Sequence, residues 1–195
     1  MKRMAALMMV GFTLAACQTT GDSASTTAPQ VANAAPSHAP VSTVERSRQD
    51  SNRDDVIQSL AQRKVQSLDV SAYRAVTIEV WNGTALLMGA VIKPEQRRRA
   101  EQNVAAIQGV KTVLNELVLA EDRALDLFIP NTAMENKVRQ ALGIDGKSAL
   151  TIRVLNNVAF LLGGVADKAQ GESLREDAGE VEGIKWVVAH LATAP

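Results

Sequence analysis

One stretch of this chain is written twice. Thr77-Ile-Glu-Val-Trp-Asn-Gly-Thr-Ala-Leu-Leu-Met-Gly-Ala-Val91 returns as Thr151-Ile-Arg-Val-Leu-Asn-Asn-Val-Ala-Phe-Leu-Leu-Gly-Gly-Val165. Each copy is an apolar run, a two-residue turn, a second apolar run and a glycine. The turns, Asn82-Gly83 and Asn156-Asn157, hold the residues that best tolerate the positive φ of a type I′ hairpin. Residues 60–121 align with 134–195 without a gap, and 17 of the 62 pairs are identical. Such a period marks a duplicated unit, so the chain is expected to fold as two small domains. Each is near the size at which a lone core is marginal, and docking of the two is expected.

Composition narrows the function. Net charge is zero, aromatic residues make up 3% of the chain, and no region is basic enough for nucleic acid or ring-rich enough to stack bases. The single cysteine allows no internal disulfide. It ends a Lys2-Arg3 start, an apolar Met4–Leu14 run and Leu14-Ala-Ala-Cys17. That run is too short for a transmembrane helix and reads as a signal peptide over 1–16. It resembles a bacterial lipobox, which implies that Cys17 carries lipid (diacyl and N-acyl). The alternative is an ordinary signal cleaved near Ala15-Ala16 that leaves a free thiol. Gln18, rather than Asp, implies sorting to the outer membrane. Residues 17–51, rich in Ala, Thr, Ser and Pro, lack an apolar period and are expected to form a disordered tether with a reach of about 30 Å. His38 lies within it.

Periodicity assigns the rest. Asn52–Leu68 reads as an amphipathic helix capped by Asn52 or Asp54, followed by the first hairpin. Pro94 opens a second helix with Ala100, Val104 and Ile107 inside, and Gly109 stops it. Val110, Val113, Leu117 and Leu119 form a third strand. The second unit repeats this α-β-β-α-β order, its first helix opened by a capping box at Thr132-Ala-Met-Glu135. The expected fold is α+β: a unit over 52–121, a linker over 122–131 and a unit over 132–195. Each unit is a three-stranded sheet with two helices on one face. The other face must be covered or polar.

The hairpin ending Leu-x-Gly-x-Val and the helix closing in Gly-Val-x-x-Val-x-Asn resemble the BON domain. The first copy carries Asn82-Gly83, Leu87, Gly89, Val91, Gly109-Val110, Val113 and Asn115. The second carries Asn156-Asn157, Leu161, Gly163, Val165, Gly183-Ile184 and Val187, with Ala189 replacing the Asn. With the lipobox, the chain resembles dual-BON outer-membrane lipoproteins of Gram-negative bacteria. That resemblance implies a periplasm-facing, lipid-anchored protein that associates with phospholipid and supports envelope integrity. It also implies a lipid contact on the first helix of the second unit.

Catalysis finds little support. No His/Cys/Asp cluster has metal-ligand spacing, His190 has no obvious partner, and Gly163-Gly164 belongs to no nucleotide-binding motif. Those glycines are expected to allow close packing or a bulge. No enzyme activity and no cofactor are expected. Lys137 and Arg139 could meet anionic phospholipid, and Phe128 and Ile129, with Leu125 and Leu127, could enter the membrane interface. These four could instead pack between the units. Arg97-Arg98-Arg99 spreads around a helix with Glu95 nearby and reads as solvated surface. Trp81 and Trp186 are candidates for binding an envelope protein or peptidoglycan. Trp81 is expected to be partly exposed, and Trp186 to be packed unless it serves a partner.

Overall fold

The computed structural model describes Val44, residues 46–144 and residues 150–193. Cys17, His38 and most of the expected tether lie outside the described residues. The elements run α1 Arg48–Leu68, β1 Val76–Trp81, β2 Thr84–Val91, α2 Pro94–Ala105, β3 Thr112–Asn115, β4 Val118–Leu119, a 3-10 helix Asp122–Phe128, α3 Thr132–Ala141, β5 Thr151–Leu155, β6 Val158–Val165, α4 Lys168–Glu180 and β7 Trp186–Thr193. This is the expected α+β repeat of αββαβ units.

Both hairpins turn as their residues dictate, with φ of 49° and 78° at Asn82 and Gly83 and of 47° and 65° at Asn156 and Asn157. In each unit the first strand runs antiparallel to the central one and the last runs parallel to it, giving β1-β2-β3 and β5-β6-β7. Alternation along the strands makes two apolar faces per sheet. Ile78, Val80, Leu87 and Val91 meet Ile57, Ala61, Val65, Ala100 and Val104 of the helices. Ile152, Val154, Leu161 and Val165 meet Val138, Leu174 and Ala178. The opposite faces cover one another: Trp81, Leu86 and Met88 share a third cluster with Leu155, Phe160 and Leu162. The two units thus close as a pair of sheets with helices outside.

Four local expectations are corrected. α1 starts at Arg48 because Ser47 caps it, its hydroxyl accepting from the Asp50 amide at 3.1 Å. Residues 48–51, expected in the tether, are therefore part of the helix. Asp54, expected as a cap, is buried beneath the first hairpin and accepts from the Asn82 and Gly83 amides at 2.7 and 2.9 Å. α3 is capped by Asn131, which accepts from the Met134 amide, and Glu135 turns inward instead of closing a capping box. The third strand of the first unit is broken at Asn115, whose side chain accepts from the Leu117 amide and donates to Glu101. In the second unit Ala189 makes no such bonds and β7 runs unbroken for eight residues.

Candidate functional site

Two of the three buried carboxylates among the described residues, Glu79 and Glu135, converge on one arginine where the units meet. Glu79 on β1 and Glu135 on α3 both bind Arg153 on β5, at 2.6 and 3.2 Å. The other Glu135 oxygen accepts from the Val154 amide at 3.3 Å. Glu79 and Glu135 are buried. Burial pushes the Glu79 carboxyl up, Arg153 pulls it down by less, and nearby Glu135 adds to the rise. For Arg153 burial favours the neutral form, but the two carboxylates outweigh it and raise the guanidinium. At the same face His190 Nε2 lies 3.0 Å from Glu116 Oε1. His190, expected without a partner, finds one in the other unit.

The tryptophans exchange the roles expected of them. Trp81 is 8% exposed and Trp186 67%. The first hairpin tip lies over β6 of the second unit, where a Cβ on Gly164 would come within 2.9 Å of the Trp81 ring. Gly164 is therefore the seat of the indole. The Trp81 Nε1 finds no hydrogen-bond partner among the described residues. Val44 crosses the same place, its amide donating to the Gly164 carbonyl at 3.1 Å. Trp186 opens the edge strand β7, paired with Val158 at the start of β6, and stands in solvent beside Arg175 and Lys185.

The linker is ordered. Arg74 holds it by Asp122 at 2.9 Å and Asp126 at 3.3 Å. Its four apolar side chains part company: Leu125 is fully buried, Phe128 packs half-buried beside Ala75, Ala90 and Leu125, and Leu127 and Ile129 stand 61% and 60% exposed. The linker ends by pairing with the β5 edge, where the Asn131 amide donates to Val154 at 2.8 Å. From there α3 turns Glu135 and Val138 inward. Lys137 points to solvent, and Arg139, two residues and about 200° on, is half-buried on the flank, so the two cations do not share one face. Arg98 meets Glu95 at 3.8 Å and Arg97 donates to the Asn115 carbonyl, so the arginine run lies on an exposed helix surface.

Other edges are closed. The Gln62 amide on α1 binds the Val76 carbonyl and the Ile78 amide along β1, at 2.9 and 3.1 Å. The outer edge of β7 has no strand beside it among the described residues. No group of His, Cys, Asp and Glu there could hold a metal ion, and no helix is long and apolar enough to cross a membrane.

Two tandem αββαβ units with paired sheet faces define a class of small duplicated α+β proteins. The sequence matches the BON domain over residues 53–121 and 131–195, and the chain belongs to the BON-domain family. An uncharacterised protein of Anaplasma centrale, named for the region 5′ of gshII, is 26% identical over 125 residues, which is 61% of this chain and 82% of that protein. Among solved structures, the C-terminal domain of CdsD, a structural protein of the type III secretion system of Chlamydia trachomatis, is 12% identical. That likeness covers 73% of this chain and 67% of that one, with a TM-score of 0.30. A second CdsD structure is 13% identical, covers 68% and 91%, and has the same TM-score. At that level neither bears on function.

Proposed function

We propose that this protein is a non-catalytic envelope module held at the periplasmic face of the outer membrane by lipid on Cys17, and that its second unit rests on phospholipid. The observation that carries the contact is the pair Leu127 and Ile129, both more than half exposed immediately before α3. Lys137 stands outward on that helix. Exposed aliphatic side chains followed by an outward cation on the next helix suit the headgroup boundary, where apolar area and attraction to anionic lipid act together. One cation near an anionic leaflet contributes only about 1 kcal/mol. The contact therefore orients a protein that its anchor already retains. Arg139 assists from the flank, and Phe128, packed on the Ala75, Ala90 and Leu125 cluster, fixes the segment that carries the pair.

The test is flotation of the chain beginning at Gln18, free of the signal segment and the lipid, on anionic and on neutral liposomes. Binding to anionic vesicles should fall with salt and be lost in Lys137→Glu and in Ile129→Ser. Equal flotation of these variants would sink the lipid contact.

Trp186 favours a second reading, an envelope scaffold. An unpaired eight-residue edge opening on an exposed indole is suited to adding a strand from a partner protein. If Trp186→Ser removes a crosslink to an envelope partner while flotation is unchanged, the scaffold reading replaces the lipid one.

A further inference from the structure

Between α1 and the turn after α2 lies a groove of about 610 Å³, on the far side of the first unit from its paired sheet face. Val56, Ile57 and Leu60 form one wall, and Ile107 and Val110 the other. Val56 and Leu60 are 60% and 43% exposed, so the helix turns aliphatic carbon toward an open groove, an arrangement that costs free energy unless something covers it. The second unit does not repeat this. Its α3 begins at Thr132, the repeat equivalent of Gln58, whereas α1 reaches back to Arg48. The equivalent of Leu60 is Met134, which is half-buried and covers Gly183 with its Cε, at 2.7 Å from an added Cβ. In the first unit Ile57 covers the equivalent Gly109 in the same way, at 2.8 Å, and Leu60 is left exposed beside it.

The charges around the groove separate into satisfied pairs and one remainder. Asp54 is bound by Arg46 and by two turn amides. Asp50 pairs with Arg53 at 3.3 Å. Lys111 Nζ reaches only the neutral Asn82 carboxamide oxygen, at 3.1 Å. An ammonium with no carboxylate partner among the described residues is thus left at the end of an apolar trough. The volume falls within the roughly 300–1,000 Å³ of small-molecule sites.

We propose that this groove binds a single-chain amphiphile, its alkyl chain along Val56, Leu60, Ile107 and Val110 and its anionic head on Lys111. The site stands apart from the membrane contact proposed for the second unit, and neither depends on the other. A carboxylate and a phosphate monoester offer Lys111 the same chemistry.

The experiment titrates dansyl-labelled undecanoate into the full chain carrying Cys17→Ser, and reads dansyl fluorescence and oligomeric state. Saturable one-site binding is expected. Val56→Ser/Leu60→Ser, both exposed and tolerant of change, should weaken it by about tenfold or more. Lys111→Glu should weaken the acid probe but leave displacement by a neutral alkyl maltoside unchanged. Lys137→Glu should leave probe binding unaltered. Competition by laurate against lauryl phosphate decides which head is preferred. Unchanged probe affinity in Val56→Ser/Leu60→Ser overturns the proposal. So does a dimer that dissociates in that variant with no probe bound, which would make the groove's occupant a second copy of the chain.

Discussion

Glu79 and Arg153 hold the same position in the two repeats, 74 residues apart, and they meet at 2.6 Å across the interface. Glu116 and His190 are also 74 apart and also meet, at 3.0 Å. Equivalent positions touch only where two units pair about a two-fold axis, as in an isologous dimer. Had both units kept the first unit's residues, each contact would set carboxylate against carboxylate. Divergence after duplication has put a cation or a histidine opposite each acid. The charges therefore favour the first unit with the second over either with its own kind.

A charge swap tests this. Glu79→Arg leaves two guanidinium groups on Glu135, and Arg153→Glu leaves three carboxylates without a cation. Each single reversal should cost about 2 kcal/mol, below the fully buried range because the Arg153 side chain stays 35% exposed. Arg153→Glu should be the worse of the two. Trp81 emission should shift to the red as the paired faces open. The double swap returns one guanidinium to two carboxylates and should recover more than half of the loss. Losses that simply add would mean that the two residues are uncoupled.

Glu79 also gives a pH dependence of fixed sign. Burial holds its carboxyl above the ordinary 4.5, so the folded protein binds this proton more tightly than the unfolded chain. The resulting stability is fully present below the unfolded value and is lost as pH rises through the folded one. The melting temperature of the wild type minus that of Glu79→Gln should therefore fall as pH rises above the ordinary 4.5. A difference that grows over that range would show that Arg153 outweighs burial.

The hairpins were legible because their turns need positive φ and their sequences place Asn or Gly there. The face that each sheet buries away from its helices was legible only as a need: Leu86 and Met88, like Phe160 and Leu162, are apolar on the side that no helix covers. What covers them follows from the two-fold relation between the units, which no local pattern encodes. The same relation explains the misplaced tryptophans. A hairpin tip reads as exposed, yet Trp81 points at Gly164 of the other unit, and glycine there beside alanine at position 90 was the available signal. Trp186 lies at the beginning of β7, out of reach of the facing sheet. His190 looked partnerless because Glu116 is distant in sequence and near only through the repeat.

Gly164 and Trp81 should behave as a coupled pair. Gly164→Ala places a methyl 2.9 Å from the indole and 2.8 Å from the Val44 side chain, and should cost about 1–3 kcal/mol by overpacking. Trp81→Leu opens a cavity alone. Together they install the residue types found at the repeat-equivalent positions, Leu155 and Ala90, and should be less damaging than their sum in urea melts. Additive losses would place the strain elsewhere, at Val44.

The linker sets a buried leucine and an exposed one within three residues, and so separates stability from the proposed membrane contact. Leu125 is fully buried, and Leu125→Ala should destabilise by about 2–4 kcal/mol through lost transfer energy and the cavity left behind. Leu127 is 61% exposed, and Leu127→Ser should change stability by no more than about 0.5 kcal/mol. On anionic vesicles Leu127→Ser should nonetheless reduce flotation, since it removes apolar area from the surface that carries Ile129. If Leu127→Ser floats like the wild type while Ile129→Ser does not, the contact is confined to the start of α3. If both float normally, the exposed pair serves something other than lipid, and Trp186 on the open edge of β7 becomes the place to look for it.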